Sequence, residues 1–140
     1  MKNMKYFILF FGLTFVLLSG CSNYFGDDQK IIVYKHMDED HYEVYREVTD
    51  KTEVQSVRDI LDTIEPSSFT IPMTTTPDYS FIFQYKNSRL EAKAVPYDLL
   101  ISENKKTIEL TTPGNYYLLD EENSELLFEL LTDIKLAEVE

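Results

Sequence analysis

The spacing of apolar positions changes several times along this chain, and each change marks an element. Residues 6–18 are apolar apart from Gly12 and Thr14 and follow Lys2 and Lys5. Thirteen such residues fall short of the roughly 20 needed to span a bilayer, and with two preceding lysines they match the h-region of an export signal. Residues 22–30 (SNYFGDDQK) show no apolar period and read as a short flexible tether. Ile31, Ile32, Val33 and Tyr34 then form a β-rich run, and Tyr42, Val44 and Val48 with Tyr45 form another. The polar cluster Asp38-Glu39-Asp40 between them predicts a β-hairpin.

The period next becomes helical. Val54, Val57, Leu61 and Ile64 recur at three- and four-residue steps, Ile60 widens the stripe, and Arg58, Asp59 and Asp62 lie off it. Thr52 with Gln55, or Asp50 with Glu53, can form a capping box, and Pro66 ends the helix. One face of it should lie on a sheet.

Residues 65–78 (EPSSFTIPMTTTPD) carry three prolines and break both helix and central strand. A loop of this length is a candidate for function, although an edge segment packing Phe69 and Ile71 is the simpler reading. Period two follows, with Tyr79, Phe81, Phe83 and Tyr85 on one face and Ser80, Gln84 and Lys86 sharing the other with Ile82. Asn87-Ser88 can turn the chain into a run over 89–95, after which Pro96 leaves 97–102 as either a bulged continuation or a separate edge strand. Ile108 and Leu110 alternate with Glu109 and Thr111. Thr112-Pro113-Gly114-Asn115 has the central Pro-Gly of a type II turn, and residues 116–119 return. Asp120 caps a second helix, Glu121 and Glu122 complement its dipole, and Leu126, Leu127, Leu130, Leu131 and Ile134 are its expected buried stripe. The order ββ-α-βββ(β)-α predicts an α+β fold: an antiparallel sheet of four to six strands with two helices packed on one face.

Leu18-Ser19-Gly20-Cys21 stands directly behind the h-region, and small residues before a cysteine there read as a lipobox. Residues 1–20 are then a lipoprotein signal peptide, residues 21–30 the lipidated Cys21 and its tether, and residues 31–140 a single α+β domain. The expected location is the extracytoplasmic face of the cell membrane, with a diacylglyceryl group on Cys21 as the anchor. Two acyl chains hold a protein stably where one holds it only marginally. Cys21 is the sole cysteine, so the domain can form no internal disulfide and must hold by packing. Cleavage leaves 120 residues and removes two lysines and no acids, taking the formal charge from −12 to −14. So acidic a domain is repelled by nucleic acid and by anionic headgroups, which argues against a nucleic-acid partner.

Val57-Arg58-Asp59-Ile60-Leu61-Asp62, then Pro77-Asp78-Tyr79, then Gly114-Asn115-Tyr116-Tyr117-Leu118-Leu119 ahead of a leucine-rich terminal helix, resemble the YhfM-like domain. That family comprises small membrane-attached proteins of Gram-positive bacilli. The resemblance spans roughly residues 31–136. It implies a shared fold and an envelope location, and it carries over no catalytic residue.

Sought chemistry is sparse. With only Gly26 and Gly114 after cleavage, neither a P-loop nor a dinucleotide fingerprint is possible, and there is no G-x-S-x-G. The lipidated cysteine is removed from thiol catalysis, and any serine hydrolase would need one of two histidines as its base. Both lie in His36-Met37-Asp38-Glu39-Asp40-His41. A hairpin turn there could gather His36, Asp38, Asp40 and His41 around Zn²⁺, Cu²⁺ or Ni²⁺, but no established ligand spacing is present, and a solvated polar tip is favoured. Neither acidic run has calcium-loop spacing. Nine tyrosines and five phenylalanines remain after cleavage. Tyrosine suits a binding face, which makes Phe69, Tyr116 and Tyr117 binding candidates beside the plainer reading of core packing. The expected function is a non-catalytic binding module without cofactor, facing a cationic protein or cell-wall partner. A metal-assisted envelope hydrolase using His36 and His41, or a purely structural lipoprotein, are the alternatives.

Overall fold

A computed structural model of the chain describes residues 29–68, 75–87 and 94–139. The expected lipobox at Cys21, residues 22–28 of the expected tether, Phe69, Ile71 and residues 88–93 lie outside the described residues, while Gln29 and Lys30, expected in that tether, are strand. Six strands form one antiparallel sheet: β1 (Gln29–His36), β2 (Tyr42–Val48), β3 (Tyr79–Tyr85), β4 (Tyr97–Ile101), β5 (Ile108–Thr112) and β6 (Asn115–Leu118). Their spatial order is β2-β1-β3-β4-β5-β6. Helix α1 (Lys51–Thr63) leads from β2 toward β3, and α2 (Glu121–Thr132) follows β6. The expected class and element order are both found. Among the described residues, no helix is long and apolar enough to cross a membrane.

Both helices lie on the same side of the sheet. Ile31 and Val33 of β1, Val48 of β2, Tyr79 and Phe81 of β3, Leu99 of β4, and Ile108 and Leu110 of β5 are buried with helix residues Val54, Val57, Ile60, Leu127, Phe128 and Leu131 in one cluster. Fully burying an aliphatic or aromatic side chain contributes about 1.5–3 kcal/mol, so this cluster is the main stabilising term. Aromatic packing adds directionality. Phe128 meets Tyr79 edge-on at 5.5 Å, and Phe81 stacks on Tyr97 at 4.9 Å.

The helix ends follow local chemistry. Asp50 is the first cap, its carboxylate accepting the N–H groups of Thr52 and Glu53 at 2.9 and 3.1 Å. Glu53 does not complete a capping box but faces Arg46 at 3.4 Å. Asp120 caps α2 by accepting the Asn123 N–H at 2.8 Å. At the other end, Arg46 Nη1 donates to the Leu130 carbonyl at 2.7 Å, while left-handed Asp133 donates its N–H to the Glu129 carbonyl at 2.8 Å. The Leu130 carbonyl, one of those a helix C-terminus leaves over, is thus satisfied by a side chain, and the Asp133 bond is the last of the helical series.

Two expectations about these elements are corrected, and one register detail could not be read from the run alone. The stripe of α2 is rotated: Leu126 is 47% exposed, while Phe128 and Ser124 are completely buried. Leu126 yields because Phe128 fills the volume facing Tyr79, and the Ser124 hydroxyl accepts the Ile108 N–H at 2.9 Å. Residues 97–101 are no edge strand, since β4 pairs with both β3 and β5. Pro96 stands just before β4, where its missing N–H breaks no ladder bond. Finally, Tyr42 and Val44 do not share the face of Val48. The β1–β2 register shifts between Val33 and Tyr34, pairing Val33 with Arg46 but Tyr34 with Val44, so Tyr45 is the extra residue of a bulge. One inserted residue flips every position beyond it.

Candidate binding face

The side of the sheet away from the helices is where chemistry can be offered to a partner. Paired residues in a sheet share a face, so the registers trace a continuous row across all six strands: Val44, Tyr34, Ser80, Asp98, Thr111 and Tyr116. The next row holds Tyr42 and His36. Leu100, Glu109 and Leu118 lie at the same level on β4, β5 and β6, whereas Ile32, Ile82 and Glu47 lie toward the other end. Tyr42, Val44 and Leu118 are 63%, 56% and 60% exposed. Each stands on an edge strand, whereas Ile32 and Thr111 in the middle of the face are buried, at 8% and 6% exposed.

Polar groups meet in the middle of this face. His36 Nε2 and Ser80 Oγ share a hydrogen bond of 3.0 Å. The carboxylate of Asp98, the register partner of Ser80, accepts no hydrogen bond within the described residues. Burial pushes its carboxyl above the usual carboxylate range, and the nearby His36 partly offsets that rise. Tyr34 and Tyr42 stand edge to face at 5.5 Å beside His36. At the far end, burial foremost, then the charge of Glu109 and a hydrogen bond to it, push the Tyr116 hydroxyl up. Lys30 is paired with Glu47 at 2.9 Å.

The metal set weighed as the alternative to a solvated tip is not brought together. His36 pairs with Tyr42, and Met37 donates its N–H to the His41 carbonyl at 2.8 Å. His36 turns to Ser80 on the open face, whereas His41 Nδ1 lies 2.8 Å from Asp38 Oδ1 at the exposed tip. The same oxygen accepts the N–H groups of Asp40 and His41, and the His41 side chain, then Asp40, hold the Asp38 carboxyl below its ordinary value. These bonds close the turn. Among the described residues, no three His, Cys, Asp or Glu side chains converge as a metal site. Of the two tyrosine candidates, Tyr116 lies on the open face, while Tyr117 packs against the core cluster and leaves the binding surface. Phe69 is outside the described residues.

Sequence reasoning missed Tyr34, Ser80 and Asp98 as a group. Their parity was legible, since each alternates with a core residue, but no local signal says which strands become neighbours. Fold and face together define a one-sheet α+β domain with one surface closed by helices and the other presenting aromatic, aliphatic and acidic side chains. The family model described as YhfM protein matches residues 26–137, and the chain belongs to that family. No curated protein and no solved structure matches it.

Proposed function

We propose that this protein is a membrane-anchored extracytoplasmic lipoprotein whose domain acts as a non-catalytic binding module of the cell envelope. The observation that carries the binding part is the helix-free sheet face, where exposed Tyr42, Val44 and Leu118 surround a polar centre at Asp98. An exposed apolar surface rimmed by polar groups is the usual character of an interaction site. The anchor rests on Leu18-Ser19-Gly20-Cys21 behind its h-region. A formal charge of −12 favours a cationic protein or wall partner and makes association salt-sensitive.

Crosslinking in cells followed by capture at low and high salt tests the binding role. A specific partner enriched at low salt supports it, and none under either condition refutes it. Labelling cells with an alkyne analogue of palmitate tests the anchor. Label on the wild-type chain that disappears in Cys21→Ser is expected, whereas an unlabelled wild-type chain refutes it.

A further inference from the structure

We propose that Asp98, at the end of the partly exposed Tyr34–Ser80–Asp98 stretch of the row, receives a guanidinium or ammonium group from a basic polypeptide lying across β1, β3 and β4. This rests on the binding-module reading and names the partner's chemistry and its point of contact. Three observations carry it. The Asp98 carboxylate is half-buried yet accepts no hydrogen bond within the described residues, so its lone pairs are available to a donor. Partial burial strengthens a charge-assisted bond relative to one made in water.

Charge on the face points the same way. Lys30 is occupied by Glu47, which leaves Asp98 and Glu109 outside any lysine or arginine ion pair among the described residues, with His36 beside Asp98. A basic ligand would meet negative potential both locally and from the whole chain, whose formal charge is −12. An anionic ligand would meet repulsion instead.

Tyr34, with Tyr42 edge-on against it, bounds this stretch on the β1 side. With strands about 4.8 Å apart, Tyr34 stands about 10 Å from Asp98 along the row. A span of about 10 Å fits about three residues of extended chain. Guanidinium groups both pair with carboxylates through two N–H donors and stack on aromatic rings, so arginine matches this row better than lysine does. Ser80, already engaged by His36, sits between Tyr34 and Asp98 and fixes the imidazole beside the acceptor.

The test uses the full chain in a polyoxyethylene detergent and fluorescence anisotropy of a labelled peptide with six arginines spaced by glycine. Asp98→Asn is compared with Glu125→Gln, which removes the same charge from an exposed position on α2. Loss of a hydrogen-bonded charge pair should weaken binding about tenfold to a hundredfold in Asp98→Asn. Glu125→Gln should stay within about twofold, the effect of a screened distant charge. Equal weakening in the two variants means diffuse attraction and overturns the site, as does a wild-type chain that does not bind the peptide. Titration with chitotetraose is the second arm. Binding of that neutral saccharide, lost in Asp98→Asn, with none of the peptide, would assign the face to glycan and overturn the basic-peptide assignment. Crosslinked capture separates the two levels. A partner held equally by wild type and Asp98→Asn refutes the contact point alone, whereas no captured partner refutes the binding-module reading.

Discussion

Replacing Phe128 and Leu126 in turn tests how α2 is seated. Both residues belong to an apolar run in one helix, and the run alone favours neither. In the structure the Phe128 ring is completely buried and meets Tyr79 edge-on at 5.5 Å, while Leu126 is 47% exposed. Phe128→Ala removes the ring's transfer energy and leaves a cavity that a sheet on one side and a second helix on the other cannot close, a loss of about 3–5 kcal/mol. The edge-on contact is about 0.5–1.5 kcal/mol of that. Leu126→Ala gives up only partial burial, about 1 kcal/mol at most by area, and alanine's better helix propensity returns a little. Urea unfolding followed by far-UV circular dichroism reads both. With a urea slope of about 2 kcal/mol per molar, Phe128→Ala should lower the midpoint by about 2 M and Leu126→Ala by no more than about 0.5 M. Against a total stability of about 5–15 kcal/mol, the first loss brings the domain near its folding threshold. Equal midpoint shifts, or a larger one for Leu126→Ala, would refute this seating of the helix.

Other substitutions probe the turn, the buried polar contact and the open face. Gly114 has φ +100° with nothing within 4 Å of an added Cβ, so Gly114→Ala should cost about 1 kcal/mol of backbone strain without a clash, read as a lower thermal midpoint. An unchanged midpoint would contradict the positive φ. Ser124→Ala deprives the buried Ile108 N–H of its acceptor and should cost about 1–3 kcal/mol in chemical denaturation; a neutral result would mean that another acceptor takes over. Asp98 has its folded carboxyl raised by burial, so the native chain holds its proton to higher pH than the unfolded chain does. Its contribution to stability therefore falls as pH rises from the ordinary aspartate value through the raised one, and Asp98→Asn should be more stable than wild type at neutral pH. The difference should shrink as pH drops toward 4, and urea midpoints across that range that run parallel would contradict it. A group that destabilises the fold while free is what a binding contact is expected to be.

Much of the architecture is written in local chemistry. The alternation in β3 and β5, the aspartate caps at 50 and 120 and the Pro113-Gly114 turn are each legible, because each is settled by residues within a few positions of one another. So is the class, since a helix-period stretch between period-two stretches leaves few packings. The lipobox motif is also a purely local reading, as is the excess of acids.

What only the tertiary structure decided is which distant residues meet. Alternation gives each strand two faces but neither its neighbours nor its register, and both are fixed by pairing across long stretches of chain. Hence β4 becomes central, and the one-residue bulge at Tyr45 sends Tyr42 and Val44 to the open face. By the same alternation His36 and His41 part company across their hairpin, removing the metal set that proximity in sequence had suggested. Ser80 and Asp98 lie far from His36 along the chain and join it only through ladder registers. The sequence by itself determined the pieces and their inward faces, because helix and strand periods are local. The surface those pieces leave uncovered was decided by packing, because the energy of burying one face of a sheet depends on all the elements that cover it at once.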